Sequence, residues 1–338
     1  MIALDELDRR LVGALHLAPR ASWDDLASVL GVDASTVGRR FARMYDAHAL
    51  RVVGQVDWSL FSHTLPVHVF ARTRGLAPHE VIERLGELPR VQYLARLSGR
   101  DSVYATVHAV DEAGTAELLD EVCTVPGIDA VTSLPVLSVA GRGSSWDPQL
   151  LTAEERELCA RLGAPGTAEA AGTRRTEDLG DLERSVVRLL QQDGRASASG
   201  IGRSLGMATS TAHRLVRRLL LGGVVRPRVE IQPDYLGLTT PFVMRVRARP
   251  GATAAVLAAL SELPESRFTT QVAGEVSVLC TGLAADRAAL GRLVDDRLGG
   301  IPGVDAVEVD VVLLERRRYW IDRAADSGLG EFTPPPLL

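Results

Sequence analysis

The sequence predicts an α+β protein: tandem winged helix-turn-helix domains, each followed by a ferredoxin-like βαββαβ domain. Three observations predict it. The chain repeats itself at one constant shift, 175 residues from Leu4 to Leu179. Each copy opens on short helical periodicities that end in an arginine-bearing helix. Each copy then changes to strand-like alternation in the order βαββαβ.

The repeat sets the domain count. Leu4-Asp5-Glu6-Leu7-Asp8-Arg9 returns as Leu179-Gly180-Asp181-Leu182-Glu183-Arg184. The same shift pairs Arg20 with Arg195, Leu30-Gly31 with Leu205-Gly206, Ser35-Thr36 with Ser210-Thr211, Arg39 with Arg214 and Arg43 with Arg218. It continues through Pro66 and Pro241 to Gly99 and Gly274. With one inserted residue, Pro126-Gly127-Ile128-Asp129 falls on Pro302-Gly303-Val304-Asp305. The expected domains are 1–60 and 179–235 (helix-turn-helix), 61–140 and 236–320 (ferredoxin-like), a linker at 141–178 and a tail at 321–338. Within the linker, Thr152 and Glu155 form a capping box for a short helix. The stretch from Gly163 to Thr173 is small and polar, as flexible linkers are.

In the first copy, Leu4, Leu7, Leu11 and Leu15 recur at helical spacing. Ser22 caps a second helix with Trp23, Leu26, Ala27 and Leu30 on one face, and Gly31 ends it. Asp33 is expected to cap a third helix. Its inner face is Val37, Phe41 and Met44; its outer face is Ser35, Thr36, Arg39, Arg40 and Arg43. The second copy turns Ala212, Val216 and Leu219 inward, with Thr209, Ser210, Thr211, His213, Arg214, Arg217 and Arg218 outward. There Ala208 replaces Asp33, so Thr209 is a candidate cap, and Leu215 stands at the place of Arg40. A helix with hydroxyls and long cations on its outer face suits base edges and phosphates. The outer faces named here are the candidate DNA contacts. Val52 to Val56 alternates toward a strand, a short wing or hinge.

Charge is informative locally. The net charge of −5 announces no nucleic-acid binder, but residues 179–230 hold nine arginines against four acids. The chain has neither lysine nor asparagine. The asparagine–adenine pair is therefore absent from its readout, and specificity leans on guanine, thymine methyls and duplex shape. With 46% hydrophobic and 24% charged residues the composition is that of a globular protein. No run is apolar enough to span a membrane, the N-terminus lacks the basic start of a signal peptide, and a cytoplasmic location is expected. Cys123, Cys159 and Cys280 are too scattered for a metal site or disulfide framework. No cofactor or metal is expected.

The opening Leu4-Asp5-Glu6-Leu7-Asp8, Arg20, the phrase Leu26-Ala27-Ser28-Val29-Leu30-Gly31 and the βαββαβ unit with its glycine turn together resemble the Lrp/AsnC family. The resemblance covers nearly all of the chain outside linker and tail. It implies double-stranded DNA as partner, homo-oligomers joined through the sheet domains, and a small-molecule effector, typically an amino acid, at interfaces of those domains. It places the effector contacts on the turn between the middle strands: Gly99, Arg100, Asp101 and Ser102 in one copy, Gly274, Glu275 and Ser277 in the other. The family's Gly-x-x-Asp is altered, since Ser102 and Ser277 occupy the fourth position. A tight turn needing positive φ explains the two glycines equally well.

Two other classes fit the architecture. Siroheme decarboxylases resemble it, including in fused double form, but carry a histidine phrase where this chain reads Ser98-Gly99-Arg100-Asp101 and Ala273-Gly274-Glu275-Val276. His63 and His68 read as surface or strand residues, no nucleophile motif or phosphate loop appears, and no catalytic residue is expected. A low-specificity architectural chromatin protein is the other alternative.

Overall fold

The computed structural model describes residues 2–141, 146–163, 179–323 and 328–335. The expected flexible stretch beyond Gly163 and the last residues of the tail lie outside these. The described chain forms two units that do not follow the sequence order of the repeat. One contains Met1–Phe61, Asp147–Gln232 and Ala325–Leu338, and so both helix-turn-helix copies. The other contains Ser62–Trp146 and Pro233–Ala324, and so both βαββαβ copies.

In the helical unit the caps set the helix starts. Helix α1 (Glu6–Leu17) begins after Asp5, whose carboxylate accepts from the Asp8 amide at 2.9 Å while Asp8 accepts from the Asp5 amide at 3.0 Å. Helix α2 (Trp23–Leu30) has a similar box between Ser22 and Asp25. Gly31, at φ 69°, ends it in the left-handed region, and Gly206, at φ 65°, does the same in the second copy. Helix α3 (Ala34–Asp46) follows, then strand β1 (Leu50–Val56). Expected caps fail at two places. Asp33 precedes α3, yet its side chain makes no capping bond. In the second copy the cap position falls on Ala208, and Thr209 is already the first helical residue.

The stretch expected as linker adds a further element to this unit. Helix α6 (Ala153–Gly163) packs against α1: Cys159 is fully buried and Glu155 pairs with Arg10. The expected box holds, with the Thr152 amide donating to Glu155 at 2.9 Å. The second copy supplies α7 (Asp181–Gln192), α8 (Ala198–Leu205), α9 (Thr209–Leu221) and strand β6 (Val225–Ile231). Strand β12 (Leu329–Phe332), from the expected tail, joins the first copy where the Leu329 amide donates to the His48 carbonyl at 2.7 Å.

The two copies in this unit are held to each other by matched contacts. Strands β1 and β6 pair antiparallel from Leu50–Ile231 to Val56–Val225, centred on Val53–Arg228. Those central positions are 175 apart, so each strand meets its own repeat equivalent about a pseudo-two-fold axis. The strand read as a wing or hinge is therefore the seam between copies. The arginines mirror one another too. Arg20 donates to the carbonyls of Gly194 and, at 3.1 Å, Ala196. Arg195 donates to those of Pro19 at 2.6 Å and Ala21 at 2.8 Å. Partly buried carbonyls in a seam need donors, and a guanidinium satisfies two with one side chain. The Arg195 guanidinium also lies 3.9 Å from the Trp23 ring centre, and the Trp23 and Phe41 rings pack tilted with centres 5.0 Å apart.

In the sheet unit the first copy runs β2 (Val67–Thr73), α4 (Pro78–Gly86), β3 (Val91–Leu97), β4 (Val103–Val107), α5 (Glu112–Thr124) and β5 (Ile128–Gly141). The second runs β7 (Thr240–Ala248), α10 (Thr253–Ser261), β8 (Ser266–Val272), β9 (Val278–Ala284), α11 (Arg287–Arg292, continued by a π-helical turn) and β10 (Val304–Arg318). Strand orders are β3-β4-β2-β5 and β8-β9-β7-β10. The last strand of each copy is 14 or 15 residues long, enough to serve two sheets. β5 pairs with β2 and then with β8; β10 pairs with β7 and then with β3. The sheets thereby close on each other within one chain.

This closure explains the apolar strands. Val67, Val69 and Ala71 pack under α4 and α5, whereas Phe70 points the other way. It joins a third core made by both copies, with Leu97, Tyr104, Leu134 and Val136 against Val243, Val272, Leu279 and Val312. A hairpin to β11 (Ile321–Arg323) ends the unit, and its Trp320 donates to the Pro89 carbonyl of the first copy at 3.0 Å.

Candidate nucleic-acid interface and the turns of the sheet unit

Helices α3 and α9 carry the sequence-predicted contacts, and the fold divides them. Ser35, Arg39 and Arg43 are exposed on α3, with Thr36 and Arg40 half-buried. Thr209, Ser210, His213, Arg214, Arg217 and Arg218 are exposed on α9, with Thr211 half-buried.

The arginines are not equally available. Arg40 bonds Asp5 at 2.7 Å and Asp8 at 2.8 Å, and Arg43 also pairs with Asp8, which is fully buried. The two acids hold Arg40 firmly protonated: the hydrogen bonds it donates to Asp5 and Asp8 raise its pKa. Arg218 bonds Glu183 at 2.6 Å, the repeat equivalent of the Arg43–Asp8 pair. Three of the six predicted arginines are thus held by the first helix of their own copy. Arg40 in particular is a brace between α1 and α3, and its equivalent Leu215 is buried at the same junction. Arg39, Arg214 and Arg217 have no ion-pair partner among the described residues.

The seam arginines were visible in the sequence as a match at 175, but nothing local shows that they reach across copies. Burial, then the neighbouring charge of Arg20, pushes the Arg195 guanidinium down to about 10. It remains charged at neutral pH.

The predicted effector turns are engaged with the opposite copy. Gly99 does not adopt positive φ; a Cβ there would run into the Asp310 carboxylate on β10. Gly274 does, at φ 134°, and its Cβ would lie 2.6 Å from Leu134 on β5. The Ser98 amide donates to Val311, and the Ala273 amide to Pro135, each at 2.9 Å, another mirrored pair. Asp101 accepts from Arg245 at 3.1 Å, and Arg245 also bonds Glu308 and Asp310 at 2.8 Å. Ser102 bonds Thr73 at 2.9 Å, and Ser277 accepts from the Ala248 amide at 3.2 Å. Gly99, Arg100, Gly274 and Glu275 remain exposed at the tips, cationic in one copy and acidic in the other.

His68 is a strand residue but not a surface one. It is fully buried, 3.2 Å from Thr106, 3.1 Å from Thr270 of the other copy and 2.8 Å from the Tyr104 hydroxyl. Burial pushes its pKa down to about 3; His108 is brought to about 3 by burial, with His68 and Arg90 adding to it.

This is a protein of paired helix-turn-helix heads and paired βαββαβ domains. Residues 4–45 match the AsnC-type helix-turn-helix domain, 179–226 a winged helix-turn-helix DNA-binding domain, and 242–320 the Lrp/AsnC ligand binding domain. The chain is an Lrp/AsnC-type protein in which the family's unit occurs in tandem. It is similar to an uncharacterized HTH-type transcriptional regulator of Pyrococcus abyssi, 29% identical over 139 residues, 41% of this chain and 88% of that one. It is similar also to the HTH-type transcriptional regulator FL11 of Pyrococcus horikoshii, 26% identical over 136 residues, 40% of this chain and 89% of that one. The fold of the whole chain is shared with a crystal structure of the siroheme decarboxylase NirDL: TM-score 0.62, 10% identity, 96% of both chains. No helix among the described residues is long and apolar enough to cross a membrane.

Proposed function

We propose that the chain is a sequence-specific DNA-binding transcription regulator whose binding is modulated by a small molecule, typically an amino acid, at the exposed turns of the sheet unit. The observation that carries the reading is the pair of outward helices at matching positions of the repeat. Each offers hydroxyls at its N-terminal end and uncommitted arginine beyond: Ser35, Thr36 and Arg39 on α3, and Thr209, Ser210, Thr211, Arg214 and Arg217 on α9. Relatives named as transcriptional regulators and the match to a ligand binding domain support it. Arg40, Arg43 and Arg218 contribute positive potential near the backbone rather than base contacts. Selection of bound duplexes from fragmented genomic DNA tests the reading: Arg39→Ala and Arg214→Ala should each weaken binding at least tenfold, and unchanged affinity in both would remove these helices from the interface. A thermal-shift screen against amino acids tests the effector.

The enzyme reading rests on shared fold alone, and neither turn of this chain carries the histidine phrase that the sequence resemblance gives those enzymes. Mixing with siroheme and recording the absorbance tests it; a shifted, stoichiometric spectrum would favour that reading over regulation.

A further inference from the structure

We propose that one chain reads an asymmetric operator: two different half-sites in a fixed order, one under α3 and one under α9. This rests on the DNA-binding reading above and adds to it the form of the site.

The β1–β6 seam and the Arg20 and Arg195 exchange place two recognition helices about one pseudo-two-fold axis inside a single chain. Paired helix-turn-helix heads read half-sites about one helical turn, or multiples of it, apart. In a dimer of identical chains, symmetry makes the two half-sites the same. A tandem chain is under no such requirement.

The two heads share some matched positions and differ at others. Ser35 and Ser210, Thr36 and Thr211, and Arg39 and Arg214 are shared. They predict one common feature, a guanine met by the matched arginine. The positions around them differ. Head one begins at Asp33, whose exposed carboxylate makes no capping bond. A carboxylate at the start of a recognition helix is repelled by phosphate, and it is accommodated best by accepting from a cytosine N4 amino group. Head two has Ala208 there, His213 in place of Gly38, and Arg217 in place of Ala42. Through the third turn of each recognition helix, the charges with no ion pair among the described residues are Asp33 and Arg39 on head one, which cancel. On head two they are Arg214 and Arg217, which add. Head one is therefore the more selective reader, of a half-site with a cytosine near its guanine. Head two grips phosphates and tolerates more sequences.

The test uses the full chain and a pool of duplexes with a random segment long enough for two half-sites. The enriched site should contain two unlike halves. It should be bound at a ratio of one chain per duplex, and at least tenfold more tightly than palindromes made by duplicating either half. Arg39→Ala and Asp33→Ala should relax base preference in one half, and Arg214→Ala in the other. Arg217→Ala should lower the salt slope by about one with base preferences kept. A palindromic enriched site, one chain per half-site, or Arg39→Ala and Arg214→Ala acting on the same half would each overturn the proposal. A pool that never enriches would instead remove sequence-specific DNA reading, and the proposal with it.

Discussion

The two helix-turn-helix heads have the same helices and nearly the same arginines, yet they hold them differently. In the first head, Asp8 is fully buried and binds both Arg40 and Arg43, with Asp5 as a second acid. In the second, Glu183 meets Arg218 alone, Gly180 stands where Asp5 would be, and the place of Arg40 is apolar. An arginine on a recognition helix is therefore not yet a DNA contact. Its availability is decided by acids some 32 to 35 residues earlier in the chain, on the helix packed behind.

The largest expected effect tests what the heads share. Arg20→Ala with Arg195→Ala removes four charge-assisted bonds and leaves seam carbonyls without donors. It should cost about 4 kcal/mol, read from urea unfolding by tryptophan fluorescence. A loss under 1 kcal/mol would mean that the β1–β6 pairing suffices. Next, Asp8→Ala frees Arg43 and loosens Arg40, which keeps only Asp5, whereas Glu183→Ala frees Arg218 alone, which is half-exposed. The first should cost about 2 kcal/mol and the second under 1 kcal/mol, after allowing for solvent screening of the partners. The Asp8 variant should also steepen the salt dependence of DNA binding more than the Glu183 variant; equal changes would break the comparison.

A third test turns to the sheet unit, where His68 and His108 belong to the first copy alone. Their folded pKa values, about 3, lie below the usual histidine value, so the unfolded chain takes up their protons first. Their contribution to stability is full above about pH 6.5 and is lost as pH falls from there toward 3, by at most about 1.4 kcal/mol per pH unit for each. Replacing His68 with Gln should flatten the stability profile between pH 7 and 5, measured by denaturant unfolding at each pH. An unchanged slope would contradict the burial. The smallest effects compare two helix starts in one head. Ser22→Ala loses a capping box and should cost about 1 kcal/mol; Asp33→Ala loses no capping bond and should cost close to none.

The elements were legible because their signals are local. Caps at Ser22 and Thr152, the glycines after α2 and α8, and the βαββαβ alternation all lie within a few residues of what they determine. The pairings were not legible in the same way. Arg40 looks like an outward cation from its own helix, and nothing within a turn of it names Asp5. A signal did exist in the repeat itself: Asp8 with Arg43 recurs as Glu183 with Arg218 at the same shift, as a charge pair would. Gly99 misled for a similar reason. Its sequence neighbourhood suggests a turn glycine, but it is small because Asp310, more than 200 residues later, comes against it. His68 belongs to a strand buried on both faces, and the second face exists only because the other copy closes over it.

Near the axis of the sheet unit, Arg245 stacks on Phe70 at 4.4 Å, and the two are repeat equivalents, 175 apart. In an assembly of identical subunits every substitution is made twice, and a residue close to the axis must tolerate its own twin. An arginine there would face an arginine, and a buried acid such as Asp310 would be buried in duplicate. The covalent link removes that doubling. A cation can be set against an aromatic face, an acid can be added for the cation, and the opposite copy can keep leucine at Leu134. Each change is then tried once, at half the energetic penalty, and the two halves are free to specialise.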